Sequence, residues 1–237
     1  MLIAHRNGML VGGVYTAKSY VQDGLIAMWD GIENVGFGQH SNSTTTWVDL
    51  SGHNRDAALS GTYSWLDDCW HVESATNRGL AQWNALNLGS SQTIEIVIHP
   101  YTTYNPYDYS YGRIISEAQP VPSPCVALGF NAPYMYGYGL DSAGPAIQGF
   151  MTFAKHSHQI IHPSGGPMAY HIDNNLVWTK ETTQDSTGTT IGCFANNLSY
   201  TRGIDADYFA VRLYSRALTA DEIAANYAVD KARFNLP

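Results

Sequence analysis

The chain has 237 residues, 44% of them hydrophobic and 14% charged, with 12 Lys plus Arg against 20 Asp plus Glu for a formal charge of −8. That balance, without a basic cluster anywhere, excludes nucleic acid and anionic membrane surfaces as partners, since both are held by Lys and Arg neutralising phosphates. No apolar run approaches the ~20 residues that span a bilayer, and residues 1–13 lack the apolar stretch and small-residue cleavage site of a secretory signal, so the expectation is a soluble protein, not inserted in a membrane, that works outside a cell only after release or on a particle.

A chain this long should bury roughly 70–75% of the surface its unfolded form exposes, enough to fold without a disulfide or a metal staple. Its three cysteines, Cys69, Cys125 and Cys193, are odd in number, form no Cys-x-x-Cys pair and have no His at zinc spacing. They read as buried free thiols. Residues 1–22 read as an N-terminal arm in which Gly8 and Gly12-Gly13 interrupt regular structure, while Val14, Tyr15 and Tyr20 pack either on a neighbour or on the chain's own surface.

Residues 23–237 read as one domain of short strands divided by Gly, Asn, Asp, Ser and Pro, the spacing of a sandwich or barrel. The clearest strands are Leu25 to Trp29, Thr93 to His99, Arg113 to Glu117, Val126 to Phe130, Gly149 to Ala154, Met168 to Asp173, Leu176 to Thr179, Thr190 to Phe194 and Asp207 to Tyr214. Pro100 should end its strand for want of an N–H. Asp173-Asn174-Asn175 signals a tight hairpin, because Asn tolerates positive φ. After Tyr214 the period changes from two to helical. Thr219 and Glu222 form a capping box that opens a helix over about 219–231, the only substantial one expected.

Two stretches carry a resemblance. Val211-Arg-Leu-Tyr214, Ser215-Arg-Ala-Leu-Thr219 and Glu222-Ile223 resemble the C-terminal signature of laminin-G-like domains of the concanavalin A-like superfamily. Asp23-Gly-Leu-Ile-Ala-Met-Trp-Asp30 with Thr45-Thr-Trp-Val-Asp-Leu-Ser-Gly52 resembles the first strand and following turn of the same family, particularly the versions carried by bacteria and their phages. The resemblance implies an all-β fold, a concanavalin A-like jelly-roll sandwich of two antiparallel sheets with a short C-terminal helix, and puts Trp29 and Trp47 in its core. It also implies a non-catalytic recognition module whose partner is a glycan or cell-surface polysaccharide, with a phage or prophage particle as a natural setting. The alternative is a structural protein that forms a homo-oligomer or decorates virion proteins without binding sugar. Such folds host many activities, so function has to be sought in a site.

The most unusual segment is Tyr101 to Tyr111, where five tyrosines fall among Asn, Pro and Asp. Tyr104, Tyr107, Tyr109 and Tyr111 offer rigid apolar faces with polar tips, suited to stacking on sugar rings or anchoring an interface. Tyr134, Tyr136 and Tyr138, if extended, share one face, as a ligand platform or as core. Retaining glycosidases need two carboxyl groups ~5–5.5 Å apart, and the Glu-x-Asp-x-x-Glu strand of the β-glucanase branch is absent. Glu95 stands alone; Asp67 and Asp68 are adjacent; Asp205 and Asp207 alternate but read as turn and edge carboxylates. The chain is therefore expected not to be an enzyme. No cofactor is implied, and calcium, for which Asp205 and Asp207 are the candidate ligands, is not expected to be required. His156 and His158 share a face but lack a third metal ligand, and read as hydrogen-bonded strand residues; Asp49 reads as the cap of its own turn.

Overall fold

The structure, a computed structural model, describes residues 4–6, 9–11, 15–73, 79–102, 112–116, 127–131, 134–138, 149–150, 154–181, 190–194 and 204–237. In chain order the elements are β1 (Ala4–Arg6), β2 (Met9–Val11), a 3-10 turn (Ala17–Ser19), β3 (Leu25–Asp30), β4 (Thr46–Trp47), β5 (Ala57–Ser60), β6 (Tyr63–Trp65), β7 (Trp70–Val72), β8 (Leu80–Asn87), β9 (Gln92–Thr102), β10 (Gly112–Ser116), β11 (Ala127–Asn131), β12 (Tyr134–Tyr138), β13 (Gly149–Phe150), β14 (His156–His162), β15 (Met168–Ile172), β16 (Asn175–Lys180), β17 (Thr190–Phe194), β18 (Asp205–Tyr214) and α1 (Ala220–Phe234).

The strands form two antiparallel sheets. The first runs β13-β12-β11-β10-β17-β8-β5-β4, the second β16-β15-β14-β9-β18-β7-β6, with β3 also on β18; β1 and β2 make a separate pair. Alternation along β9, and along β18 on either side of a bulge between Tyr208 and Ala210, explains the layering. Ile94, Ile96 and Ile98 of β9 and Tyr208, Val211 and Leu213 of β18 enter the core between the sheets, together with Trp29, Trp47, Trp65, Trp70 and Trp83. Each large apolar side chain so buried contributes ~1.5–3 kcal/mol. The intervening residues of the two strands face away from that core, where α1 covers part of the second sheet with Ile223, Val229 and Phe234.

The expected capping box opens α1: the Thr219 hydroxyl accepts from the Glu222 N–H, and the Glu222 carboxylate accepts from the Thr219 N–H at 2.9 Å. The helix then continues to Phe234 and closes on Asn235 with φ of 52°. Asp173 and Asn174, at φ of 49° and 63°, make the two-residue turn between β15 and β16, with Ile172 paired to Asn175. Asp49 caps its turn by accepting from the Ser51 and Arg55 N–H groups, and it also takes the Met28 N–H.

Several expectations are corrected. Pro100 does not end β9, which runs on to Thr102; β14 pairs β9 only as far as Ile98, so the missing N–H of Pro100 disrupts no β14 bond, and a bulge between Asp205 and Ala206 adjusts the β18 side. β1 and β2 pair with each other, and Gly8 and Gly12-Gly13 lie outside the described residues. Of the two readings left open for Tyr20, packing on the chain's own fold is the one observed: it is buried, and the Arg212 guanidinium lies 3.9 Å over its ring. Glu95 is not alone, and Asp207 is not an edge carboxylate, since both are buried on the two central strands.

Candidate functional site

Register builds a polar row on the outer face of the second sheet. Ser64 pairs with His71, His71 with Asp207, and Asp207 with His99, so that β6, β7, β18 and β9 each supply one residue. Tyr101, two residues on from His99, shares that face. Gly31 helps set β7 in place, because a Cβ there would stand 2.3 Å from the Asp68 carbonyl oxygen of the approach to the strand.

Asp207 organises the patch. Only 4% exposed, it accepts from His71 Nδ1 at 2.7 Å through Oδ1 and from the Tyr101 hydroxyl through Oδ2. His71 Nε2 then points toward Glu73, at 3.8 Å. The Tyr101 ring remains 44% exposed, with the His99 ring centroid at 4.5 Å and that of His71 at 5.9 Å. Partial burial, followed by the Asp207 carboxylate, pushes the Tyr101 phenol above its usual range, which keeps it a hydrogen-bond donor. Beside the patch lie Phe209, with the Lys155 ammonium 4.3 Å over its ring, and buried Cys69. Burial, then Asp207 and Asp68, push the Cys69 thiol up, which favours its protonated form. A fixed, half-exposed aromatic ring ringed by hydrogen-bonding groups can stack on the apolar face of a small ring while binding its hydroxyls.

Further along the same face, under α1, the polar groups are closed off. Arg212 donates through Nε to Glu95 at 2.7 Å and through Nη1 and Nη2 to Asp230 at 2.8 and 2.7 Å, all three residues being wholly buried. Asn226 adds a donor to Glu95, and Ser157 one to Asp230. A cleft of about 750 Å³ lies elsewhere, between Tyr15, Glu33, His40 and Arg233. Its carboxylate is committed to the fold, as Glu33 accepts from the Ala17 and Gly38 N–H groups and from Arg233.

The histidine pair expected on β14 is held by hydrogen bonds. His156 Nδ1 meets Asp173 at 2.5 Å, and His158 Nδ1 meets the Tyr170 hydroxyl at 2.6 Å. Burial holds His158 down at about 3, so its ring is neutral. Among the described residues, no group of three His, Cys, Asp or Glu is placed to hold a metal ion.

Of the tyrosines singled out by sequence, Tyr104, Tyr107, Tyr109 and Tyr111 lie outside the described residues. Tyr134, Tyr136 and Tyr138 lie on β12, where they pair with Asn131, Gly129 and Ala127 of β11. The patch residues His71 and His99 were missed, and Asp207 was assigned a bland role. A signal existed: β9 alternates Ile94, Ile96 and Ile98 with Glu95, Val97, His99 and Tyr101, a strand whose second face changes from covered to open along its length.

No known family's sequence profile matches the chain, and no curated protein matches it. Among solved structures it is similar to the binding domain of botulinum neurotoxin serotype D/C, at 15% identity and a TM-score of 0.66 over 90% of this chain and 53% of that one. It is similar to the same toxin's binding domain solved in complex with SialylT, at 15% identity and TM-score 0.64, covering 90% and 52% of the two chains. A mutant of Trypanosoma rangeli sialidase displaying trans-sialidase activity matches at 12% identity and TM-score 0.61, over 90% of this chain and 34% of that one. The chain thus spans about half the length of the neurotoxin domains it matches. At such identities the likeness concerns the fold: a concanavalin A-like jelly-roll of two antiparallel sheets with one C-terminal helix among the described residues. No described helix is long and apolar enough to cross a membrane.

Proposed function

We propose that this chain is a non-catalytic glycan-recognition module, with a ligand surface that includes Tyr101, His99, His71 and Asp207; Tyr104, Tyr107, Tyr109 and Tyr111, which follow Tyr101 in the sequence, are further candidates for stacking on the sugar. The observation that carries the reading is Tyr101: its ring is 44% exposed, yet Asp207 fixes it by its hydroxyl, and the five-tyrosine segment begins at this residue. A ring held in place before binding loses little entropy when a sugar stacks on it. The likeness to a binding domain solved in complex with SialylT, about half of which this chain spans, agrees with the reading. A phage or prophage setting, with virion proteins as partners, is implied by the sequence resemblance alone.

The test is a glycan array probed with the parent chain and with Tyr101→Ala. Binding by the parent that drops at least ~10-fold in the variant, with the melting temperature nearly unchanged, is the expected result. A parent that binds no glycan rejects the reading.

A second reading, assembly of copies of the chain, is favoured by β16. This strand ends the described sheet and exposes Leu176 at 58% and Val177 at 45%. Light scattering on the parent and on Leu176→Asp decides it, since only an assembly through this edge would dissociate.

A further inference from the structure

Resting on the glycan reading, we infer that the Tyr101 patch takes a glycan without acidic groups and discriminates against sialylated or sulfated ones. The inference comes from counting donors and acceptors. Tyr101 spends its O–H on Asp207, so its oxygen can only accept from a ligand. His71 spends its Nδ1 proton on Asp207, which leaves Nε2 as an acceptor in the neutral ring. Asp207 and Glu73 add carboxylate lone pairs, and the Glu73 side chain is 57% exposed. At Tyr101, His71, Asp207 and Glu73 a ligand must therefore bring donors, as sugar hydroxyls do, whereas a carboxylate or sulfate brings only acceptors.

Charge points the same way. Asp68 acts on both Tyr101 and Cys69, and Lys155 acts on Cys69 with the opposite sign, so Asp68 joins Asp207 and Glu73 as a third carboxylate against one ammonium. A protonated His71 would have its charge matched by Asp207 and Glu73, at 2.7 and 3.8 Å. The nearby described donors are Lys155, whose ammonium lies over the Phe209 ring, and His99, whose ring packs on Tyr101. Arg212, Arg216 and Arg233 are each bound to two carboxylates elsewhere. Among the described residues an acidic sugar would thus meet three carboxylates against the single ammonium of Lys155, and the chain's overall −8 slows its approach as well.

The experiment uses pairs of glycans that share a core and differ only in a terminal sialic acid or sulfate, first on an array and then by calorimetry with the best uncharged member. The expected result is binding of the uncharged member, at least ~10-fold weaker binding of its acidic partner, and a narrowed gap in Glu73→Gln. Equal or tighter binding of the acidic partner overturns the inference and leaves glycan recognition standing. Uncharged binding that Tyr101→Ala does not weaken also overturns it, because the sugar then sits elsewhere. If no member of any pair binds, it is the glycan reading that fails.

Discussion

Strands β9 and β18 build two polar clusters on one face of one sheet, and the clusters have opposite fates. At one end Glu95 and Arg212, with Asp230 and Asn226 from α1, make a wholly buried layer; at the other, Tyr101 and Asp207 hold a patch that water reaches. Residue type does not separate them, since both combine carboxylates, a donor and a tyrosine. What separates them is the helix. Where α1 covers the sheet, the polar groups fasten it down; where the helix ends, the same chemistry is left facing outward.

The largest expected effect tests the covered cluster. Arg212→Ala leaves Asp230 and Glu95 buried without their cation, a break that costs ~3–5 kcal/mol, or roughly 6–20 °C in melting temperature for a domain of this size. Denaturant unfolding measures it, and a loss below ~1 kcal/mol would show that the helix is held by its apolar face instead.

Next in size is a pH effect at Glu95. Its Oε1 and that of Gln159, paired across β9 and β14, both lack partners among the described residues. Burial pushes the Glu95 carboxyl above its usual range against the pull of Arg212. A folded value above the unfolded one means that the associated stability is present at pH below about 4.3 and is lost as the pH rises through the folded value. His158 acts with the opposite sign: its stability is present above about pH 6.5 and is lost as the pH falls toward about 3. Glu95→Gln keeps the shape, cannot ionise and can donate to Gln159. The variant should match the parent in acid and exceed it near neutrality in melting temperature; identical profiles would mean that Glu95 titrates normally.

Removing the helix cap is a smaller change. Thr219→Ala should cost ~1 kcal/mol. Glu222, whose carboxylate is held down at about 2, first by Arg216, contributes stability that is present above the usual Glu range and is lost as the pH falls toward about 2. The smallest expected effect lies at the open patch, where Tyr101→Phe should shift unfolding by less than ~1 kcal/mol, since the ring is half exposed. A far larger loss would make the patch a structural device like the covered layer and erase the contrast.

Local pattern made much of this fold legible. The capping box at Thr219 and the Asp173-Asn174 turn each depend on residues near one another in sequence, and each has its counterpart in the structure. The period of two over Tyr208 to Tyr214 marked the strand but not its faces, because a bulge between Tyr208 and Ala210 puts Tyr208 with Val211 and Leu213 in the core and Phe209 on the opposite face. β8 was not read as a strand, because its Ala and Asn residues weaken the β signal around Trp83. The site was harder for a different reason. Tyr101 and Asp207 are 106 positions apart, and His71 and Asp207 136, so nothing local marks them as partners. Glu95 looked solitary for the same cause, its cation being 117 positions away.

β18 bonds β9, β14's neighbour, along one edge and both β3 and β7 along the other, yet it comes last among the strands. On a ribosome this order matters. Until residues 205–214 emerge, β9, β3 and β7 have open edges where the central strand belongs, and the apolar faces of Trp29, Trp70 and Ile96 lack a neighbour that completes their layer. The second sheet therefore closes as a late, long-range event, slow by the measure of contact separation. Nascent chains halted before that point would be the natural clients of chaperones that shield strand edges.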